Sequence, residues 1–312
     1  MRKFIIDTDI GSDDAAALIM AMKNPEIDIL GITTIGGNIP LENTTRNALQ
    51  VVEECKKEIP VYKGADKPLK RDLVTAGNVH GKDGMGDKGL IHPTRKAEEK
   101  NAVDFILETV KKNPNEIEIA VLGPVTNIAL AIIKDRETMS KVKHIWSMGT
   151  AGFGKGNMSP VAEFNVFVDA ESYDIMLNSQ IPVTIAGFDL CLGDASFTPE
   201  ELTELAKTPL GKFITDCNST RLKFNEEITG TPYVDLPDAV AMATALYEDV
   251  ITEKIEAYCY CCTKEEATYG QVIIYDISKP YTVTYNIPKT NTTVIKTIDV
   301  DKFKSYLKEA LK

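Results

Sequence analysis

Lys3-Phe-Ile-Ile-Asp7-Thr-Asp9-Ile-Gly11-Ser-Asp13-Asp14-Ala15-Ala-Ala17 decides how this chain is read. A β-branched run stops at a carboxylate, a glycine allows a tight turn, and an alanine-rich segment of helical character starts at a pair of acids. The stretch therefore predicts a strand over Lys3–Asp7, a turn, and a helix from Asp13 to Lys23 that Asn24-Pro25 stops.

The same alternation continues outward. Strands are expected at Ile27–Ile35, Glu116–Leu122, Lys143–Met148 and Ile181–Ala186, with helices at Leu41–Lys57 and Pro124–Lys134. Short apolar strands alternating with amphipathic helices define an α/β fold with a mainly parallel central sheet and helices on both faces. The last third is less regular: helices are expected over Pro199–Ala206, Leu210–Phe224 and Asp238–Tyr247, then several strands and a helix reaching Lys312. No repeat or linker divides the 312 residues, so a single domain over 1–312 is expected. Two Gly-rich segments, Gly77–Gly89 and Gly149–Gly156, are long enough to be functional loops.

Position ties these pieces together. The acids Asp7 to Asp14, Gly36-Gly37-Asn38, Leu122-Gly-Pro and Met148-Gly each follow the carboxyl end of an expected parallel strand, where ligand crevices of such sheets lie. Four distant stretches thus point into one pocket.

Bulk properties narrow what enters it. A net charge of -11 opposes binding to nucleic acid and suits a cation or a neutral small molecule. The start has no signal-length apolar run and no later stretch is long enough for a bilayer, so no membrane contact is expected and a cytoplasmic location is. Cys259-x-Cys261-Cys262 falls in an alternating strand without a nearby His or second Cys pair, which argues for small core residues over a zinc site. Gly152-x-Gly154-x-Gly156 has the wrong spacing for a dinucleotide loop.

Four carboxylates within eight residues repel one another unless something compensates. One of them at the helix start has a mundane role as an N-cap. Asp9 and Asp14 flank the glycine turn, so their side chains can converge on a hard divalent cation, and all-oxygen ligands favour Ca2+ or Mg2+ over zinc. Calcium's flexible coordination suits carboxylates, a carbonyl and a sugar diol together. An EF-hand loop beginning at Asp7 fails because Leu18 stands where its twelfth-position acid belongs. A magnesium-dependent phosphotransferase of the haloacid dehalogenase type also opens with Asp-x-Asp, but has Thr or Val where Gly11 stands here.

The N-terminal stretch Asp7 to Ala17 resembles the signature of the inosine-uridine-preferring nucleoside hydrolase family. Matching segments follow in the family's order: Gly37-Asn38, His80-Gly-Lys-Asp83-Gly84, Leu122-Gly-Pro-Val-Thr-Asn127-Ile-Ala129, Asn157 through Glu163-Phe-Asn165, and Asp238-Ala-Val-Ala241. The resemblance implies the nucleoside hydrolase fold and calcium held by Asp9, Asp14, the Leu122 carbonyl and Asp238. It implies ribose contacts from Asp13 and Asn165 at the 2-hydroxyl, Asp238 at the 3-hydroxyl, Asn157 and Glu163 at the 5-hydroxyl side, and Asn38 nearby. It also implies hydrolysis of ribonucleosides to ribose and free base by a metal-bound water with Asp9 as general base, in a homodimer or homotetramer. A non-catalytic nucleoside sensor is the alternative from another class.

One position departs from the family pattern. A branch of the family carries a histidine before the last metal aspartate to protonate the leaving base, and here that residue is Pro237. Replacement donors or stacking groups are sought at His80, Arg221, Phe224, Glu226 and Tyr233, and Phe153 is the preferred stacking aromatic. Trp146, in an expected strand, reads as core, and His92 and His144 as structural.

Overall fold

A computed structural model of the chain describes residues 1–279 and 292–312. Its strands are β1 (Arg2–Thr8), β2 (Ile27–Thr34), β3 (Val61–Lys63), β4 (Ile117–Val121), β5 (His144–Met148), β6 (Val183–Ala186), β7 (Ile251–Cys261), β8 (Val272–Asp276) and β9 (Thr292–Ile298). Among the described residues they form one sheet in the order β3-β2-β1-β4-β5-β6-β9-β7-β8, parallel from β3 through β9 and antiparallel at β7 and β8.

Period-two alternation feeds two cores. Phe4 and Ile6 of β1 enter one apolar layer and Ile5 the other, as expected of a strand covered by helices on both faces. Cys259 and Cys261 pack in the second layer as small apolar residues, and the described helices include none long and apolar enough to cross a membrane.

The chain steps from β1 outward to β2 and β3, then returns to β4 on the other flank of β1. Asp7 is consequently in register with Thr33 on one side and Val121 on the other. That reversal opens a crevice beyond the carboxyl ends of β1 and β4.

Two helices wall this crevice from the first layer. Asp14–Lys23 is buried from Asp14 to Met22, and Pro237–Leu246 is buried along its whole length. Both are apolar almost all round, the pattern of a core helix, and they pack on each other. Their alanines (15, 16, 17 and 21 in one; 239, 241, 243 and 245 in the other) bring the axes close. Each helix carries an aspartate in its first turn, Asp14 and Asp238, so packing the helices also packs the acids.

Two expectations need correction. The helix expected over Leu210–Phe224 is two helices, Pro209–Cys217 and Ser219–Thr229. Asn218 separates them, its side-chain amide donating to the Ser12 carbonyl (3.0 Å) and the Ile214 carbonyl (2.9 Å); a tertiary bond redirects what local periodicity would continue. The segment Gly77–Gly89 also contains a short helix, Gly77–His80.

Asp7 belongs to the scaffold under the crevice. Its Oδ1 accepts from Thr33 Oγ1 (2.5 Å) and Asn127 Nδ2 (2.8 Å). Burial lifts its pKa to about 7, against the pull of those two donors. Asn127 also donates to the Thr34 carbonyl and accepts from the Ala65 N–H, tying three strand ends together. Asn127→Ala strands buried polar groups at about 1–3 kcal/mol each, and the expected loss is about 2–4 kcal/mol, read from a lower urea midpoint with unchanged slope.

Candidate active site

The residues expected to hold a sugar line this crevice, and three of the expected acids gather at it. The carboxylate oxygens of Asp13, Asp14 and Asp238 lie within 4.8 Å of one another. Asp14 is held by Thr8 Oγ1 (2.5 Å) and the Gly11 N–H (2.7 Å), with Asn38 Nδ2 at 3.4 Å. Asp13 stands at the N-cap of this helix but makes no capping bond; its Oδ1 faces Arg221 Nη2 at 3.1 Å instead.

Asp9 sits deeper. Its Oδ2 accepts the Asn38 N–H (2.7 Å), while its Oδ1 is buried without a hydrogen-bond partner. Two backbone segments clasp it so closely that a Cβ added at Gly37 would stand 2.1 Å from Oδ2, and one at Gly123 2.6 Å from Oδ1. Both positions must be glycine for the carboxylate to occupy its seat.

Burial raises the pKa of each of these acids; repulsion between them adds to the rise, and a hydrogen bond with Asp238 offsets part of it at Asp13 and Asp14. Burial, then repulsion from Asp14, raises the Asp9 pKa well above the usual carboxylate range. Burial and the charges of Asp14, Asp13 and Asp9 do the same to Asp238, and burial with Asp13 lifts Asp14 to about 7. The Asp238 Oδ1, like Asp9 Oδ1, is buried and unpartnered. Buried, unpartnered carboxylate oxygens are donors that a hard cation satisfies, those of Asp13, Asp14 and Asp238 lie within reach of one ion, and the two helix N-termini add only partial positive charge. The cluster thus fits a metal ion.

Beside the acids lies a cavity of about 270 Å³. Asn165 is placed at its floor by donating Nδ2 to the Leu122 carbonyl (2.8 Å), the same carbonyl expected to ligate the metal. Glu163 caps the helix Phe164–Val168 by accepting from Asn165 N (2.9 Å) and Val166 N, and also accepts from Thr150 N. Asn157 Oδ1 accepts from Phe164 N (2.9 Å). Asp13, Asn38, His80, Asn157, Glu163, Asn165 and Asp238 all line this cavity.

The far wall departs from several expectations. His80, Arg221 and Phe224 line the cavity, whereas Glu226 is exposed and Tyr233 lies outside the lining. Phe153 is half exposed and outside it too, with Phe164 and Phe188 in the wall instead. The reason is Asp189, whose carboxylate accepts the Phe153 N–H and turns that loop outward. Trp146 packs against the core and donates Nε1 to Glu118, as a strand residue does. Pro237 occupies the first turn of its helix, where its missing N–H is harmless.

Sequence reading missed Asp235 and Asn225. Both are buried in the cavity wall and bonded to each other, Asn225 Nδ2 donating to Asp235 Oδ1 (2.7 Å). A polar pair at one-turn spacing, Arg221 and Asn225 on an otherwise exposed helix, was the available signal.

Comparison with known proteins agrees with this geometry. The family model for inosine-uridine preferring nucleoside hydrolase matches residues 4–305. The chain is 38% identical over 257 residues to uridine nucleosidase 1 of Arabidopsis thaliana, covering 81% of this chain and 76% of that protein. A plant nucleoside hydrolase, PpNRh1, superposes with a TM-score of 0.92 at 30% identity over 99% of this chain and 98% of its own. A purine-preferring ribonucleoside hydrolase from Gardnerella vaginalis gives 0.90 at 30% identity, again over 99% and 98%. The chain therefore belongs to the inosine-uridine preferring nucleoside hydrolase family. It is accordingly an enzyme that hydrolyses N-glycosyl bonds.

Glu163 supplies a pH signature. Burial raises its pKa from 4.5 to about 7, against the three backbone N–H donors. The folded state holds this proton more tightly than the unfolded chain, so the group's stabilisation is complete below about pH 4.5 and disappears as pH rises through about 7. Glu163→Gln removes that titration. The variant's unfolding free energy should fall less steeply than that of the original protein between pH 5 and pH 7.5, and equal slopes would assign the effect elsewhere.

Proposed function

We propose that this chain hydrolyses the N-glycosidic bond of ribonucleosides in a calcium-dependent reaction, releasing ribose and free base. The observation that carries the reading is the buried acid cluster, with Asp13, Asp14 and Asp238 within reach of one ion and unpartnered oxygens on Asp9, Asp13 and Asp238, next to a cavity lined with polar side chains. Asp9, Asp14, Asp238 and the Leu122 carbonyl would hold the ion. When bound, calcium supplies a Lewis acid that anchors a sugar diol and favours ionisation of a nearby water.

The chain's own groups do the rest. Asp13 and Asn165 hold the ribose 2-hydroxyl, Asp238 reaches the 3-hydroxyl, and Asn157 and Glu163 take the 5-hydroxyl side, with Asn38 alongside. Positioning the ring in this way orients the anomeric carbon for attack. Asp9 removes a proton from the attacking water, the role a carboxylate held beside that water fills. Positive charge develops on the sugar as the bond to the base breaks, and the acidic floor stabilises it.

The departing base leaves toward the wall of His80, Arg221 and Phe224. The His80 Nδ1 accepts the Ser12 N–H (3.0 Å), Arg221 Nη2 stands 3.3 Å from its Nε2, and burial with the Arg221 charge depresses the ring's pKa, so the imidazole is neutral. His80 and Arg221 thus stand together in the cavity wall, where Pro237 offers no donor, and are the candidates for that role. Aromatic Phe224 and Phe188 offer stacking surface to a flat base. The family resemblance also suggests a homodimer or homotetramer.

A reducing-sugar assay over purine, pyrimidine and modified ribonucleosides tests the reading. Ribose release should stop on chelation and return with added calcium, whereas binding without turnover would indicate a nucleoside sensor. Asp9→Asn should lower kcat by about 10²–10⁴-fold while KM changes only a few-fold. Near-normal turnover in that variant would remove Asp9 from the role of base.

A further inference from the structure

The helix Ser219–Thr229 buries only two of its residues, Arg221 and Asn225, one turn apart. Asn225 Nδ2 donates to Asp235 Oδ1 at 2.7 Å. Arg221 Nη1 donates to Asp235 Oδ2 and to the Asp235 carbonyl, both at 2.9 Å. Half of the guanidinium and the whole Asp235 carboxylate are consumed in this clamp. The guanidinium therefore has a fixed plane, and its second amino group is delivered to one place: 3.1 Å from Asp13 Oδ1 and 3.3 Å from His80 Nε2.

A buried cation is an expensive way to attach a surface helix, since apolar residues of similar volume usually serve as well or better. Arg221 Nε is moreover buried with no partner. The guanidinium is thus placed for something other than its own satisfaction, and the group it addresses has two conflicting employments. Asp13 is close enough to Asp14 and Asp238 to join them on a cation, yet the proposed reaction needs it on the sugar. Among the described residues, Asp13 alone of the cluster's acids has basic groups within ion-pair distance, Arg221 Nη2 at 3.1 Å and the neutral His80 Nδ1 at 3.6 Å from its Oδ1, and of the two only Arg221 is charged.

We propose that Arg221, oriented by Asp235 and Asn225, is the positioning residue that assigns Asp13 to the substrate's 2-hydroxyl instead of to the metal, and so sets discrimination between ribonucleosides and 2-deoxyribonucleosides. This rests on the functional reading above. A planar fork fixed at one end can hold a carboxylate at a defined angle with the other, which a lysine ammonium cannot. An Asp13 so held makes a directed acceptor for one hydroxyl, and a substrate without that hydroxyl leaves it unmatched.

The test compares the original enzyme with Arg221→Met, Arg221→Lys and Asp235→Asn, the last two retaining size and most of the packing. Two quantities are read: the ratio of kcat/KM for uridine over 2-deoxyuridine, and the calcium Kd of metal-stripped protein by isothermal titration. In Arg221→Met the ratio should fall at least about tenfold, because the riboside loses more than the deoxyriboside. Calcium should bind several-fold tighter as Asp13 joins the ion. Arg221→Lys and Asp235→Asn should fall between the extremes in the ratio. Equal losses on both substrates in all three variants would show a merely structural role and overturn the proposal, as would an unchanged or weaker calcium Kd in Arg221→Met. If the original enzyme cleaves neither nucleoside, the functional reading fails, and the calcium titration still decides whether Arg221 keeps Asp13 from the metal.

Discussion

Mutual repulsion among Asp9, Asp13, Asp14 and Asp238 is the constraint around which this molecule is arranged. All four are buried, and every one has its pKa pushed upward, by loss of water first and, for Asp9, Asp14 and Asp238, by each other's charges as well. Two unit charges at 4 Å cost about 4 kcal/mol even at an effective dielectric of about 20, so such a cluster persists only with strong compensation. The structure supplies part of it: Thr8 and Gly11 donate to Asp14, Asn38 to Asp9, and Arg221 faces Asp13. Buried oxygens without a hydrogen-bond partner remain on Asp9, Asp13 and Asp238, and a cation is what such a set would satisfy.

Much of the fold follows from bringing these groups together. The reversal of strand order beside β1 opens the crevice, and close packing of two alanine-rich helices sets the first-turn aspartates side by side. Gly37 and Gly123 let two loops close on Asp9. Around that rigid floor, the wall formed by His80, Arg221, Phe224 and Phe188 comes from separate loops and short helices. The relatives bear names as different as uridine nucleosidase and purine-preferring ribonucleoside hydrolase, and segments outside the sheet are the ones that can vary independently.

The floor was legible in the amino-acid sequence because its chemistry and its position coincide. Asp9, Asp14, Asn38 and Leu122 all follow strands whose periodicity is plain, and polar residues at the carboxyl ends of parallel strands have few places to go but the crevice. The wall was harder to read. Asn218 breaks a helix through a bond to Ser12, some two hundred positions away, which no local pattern announces. Phe153 looked like a stacking group beside Asn157, but Asp189 holds its loop outward. Asp235 and Asn225 escaped notice because their partner is the buried guanidinium of Arg221, and burial of a charged residue is a tertiary fact. Even the acid pair at the start of the first helix divides unexpectedly: Asp13, the natural capping position, turns to Arg221.

The most direct measurement is an anomalous-diffraction crystal structure of the protein grown with calcium. The account predicts one ion in the crevice, ligated by oxygens of Asp9, Asp14 and Asp238 and by the Leu122 carbonyl, with Asp13 outside its coordination sphere. A crevice without an ion at saturating calcium, or an ion bound away from these residues, would contradict it.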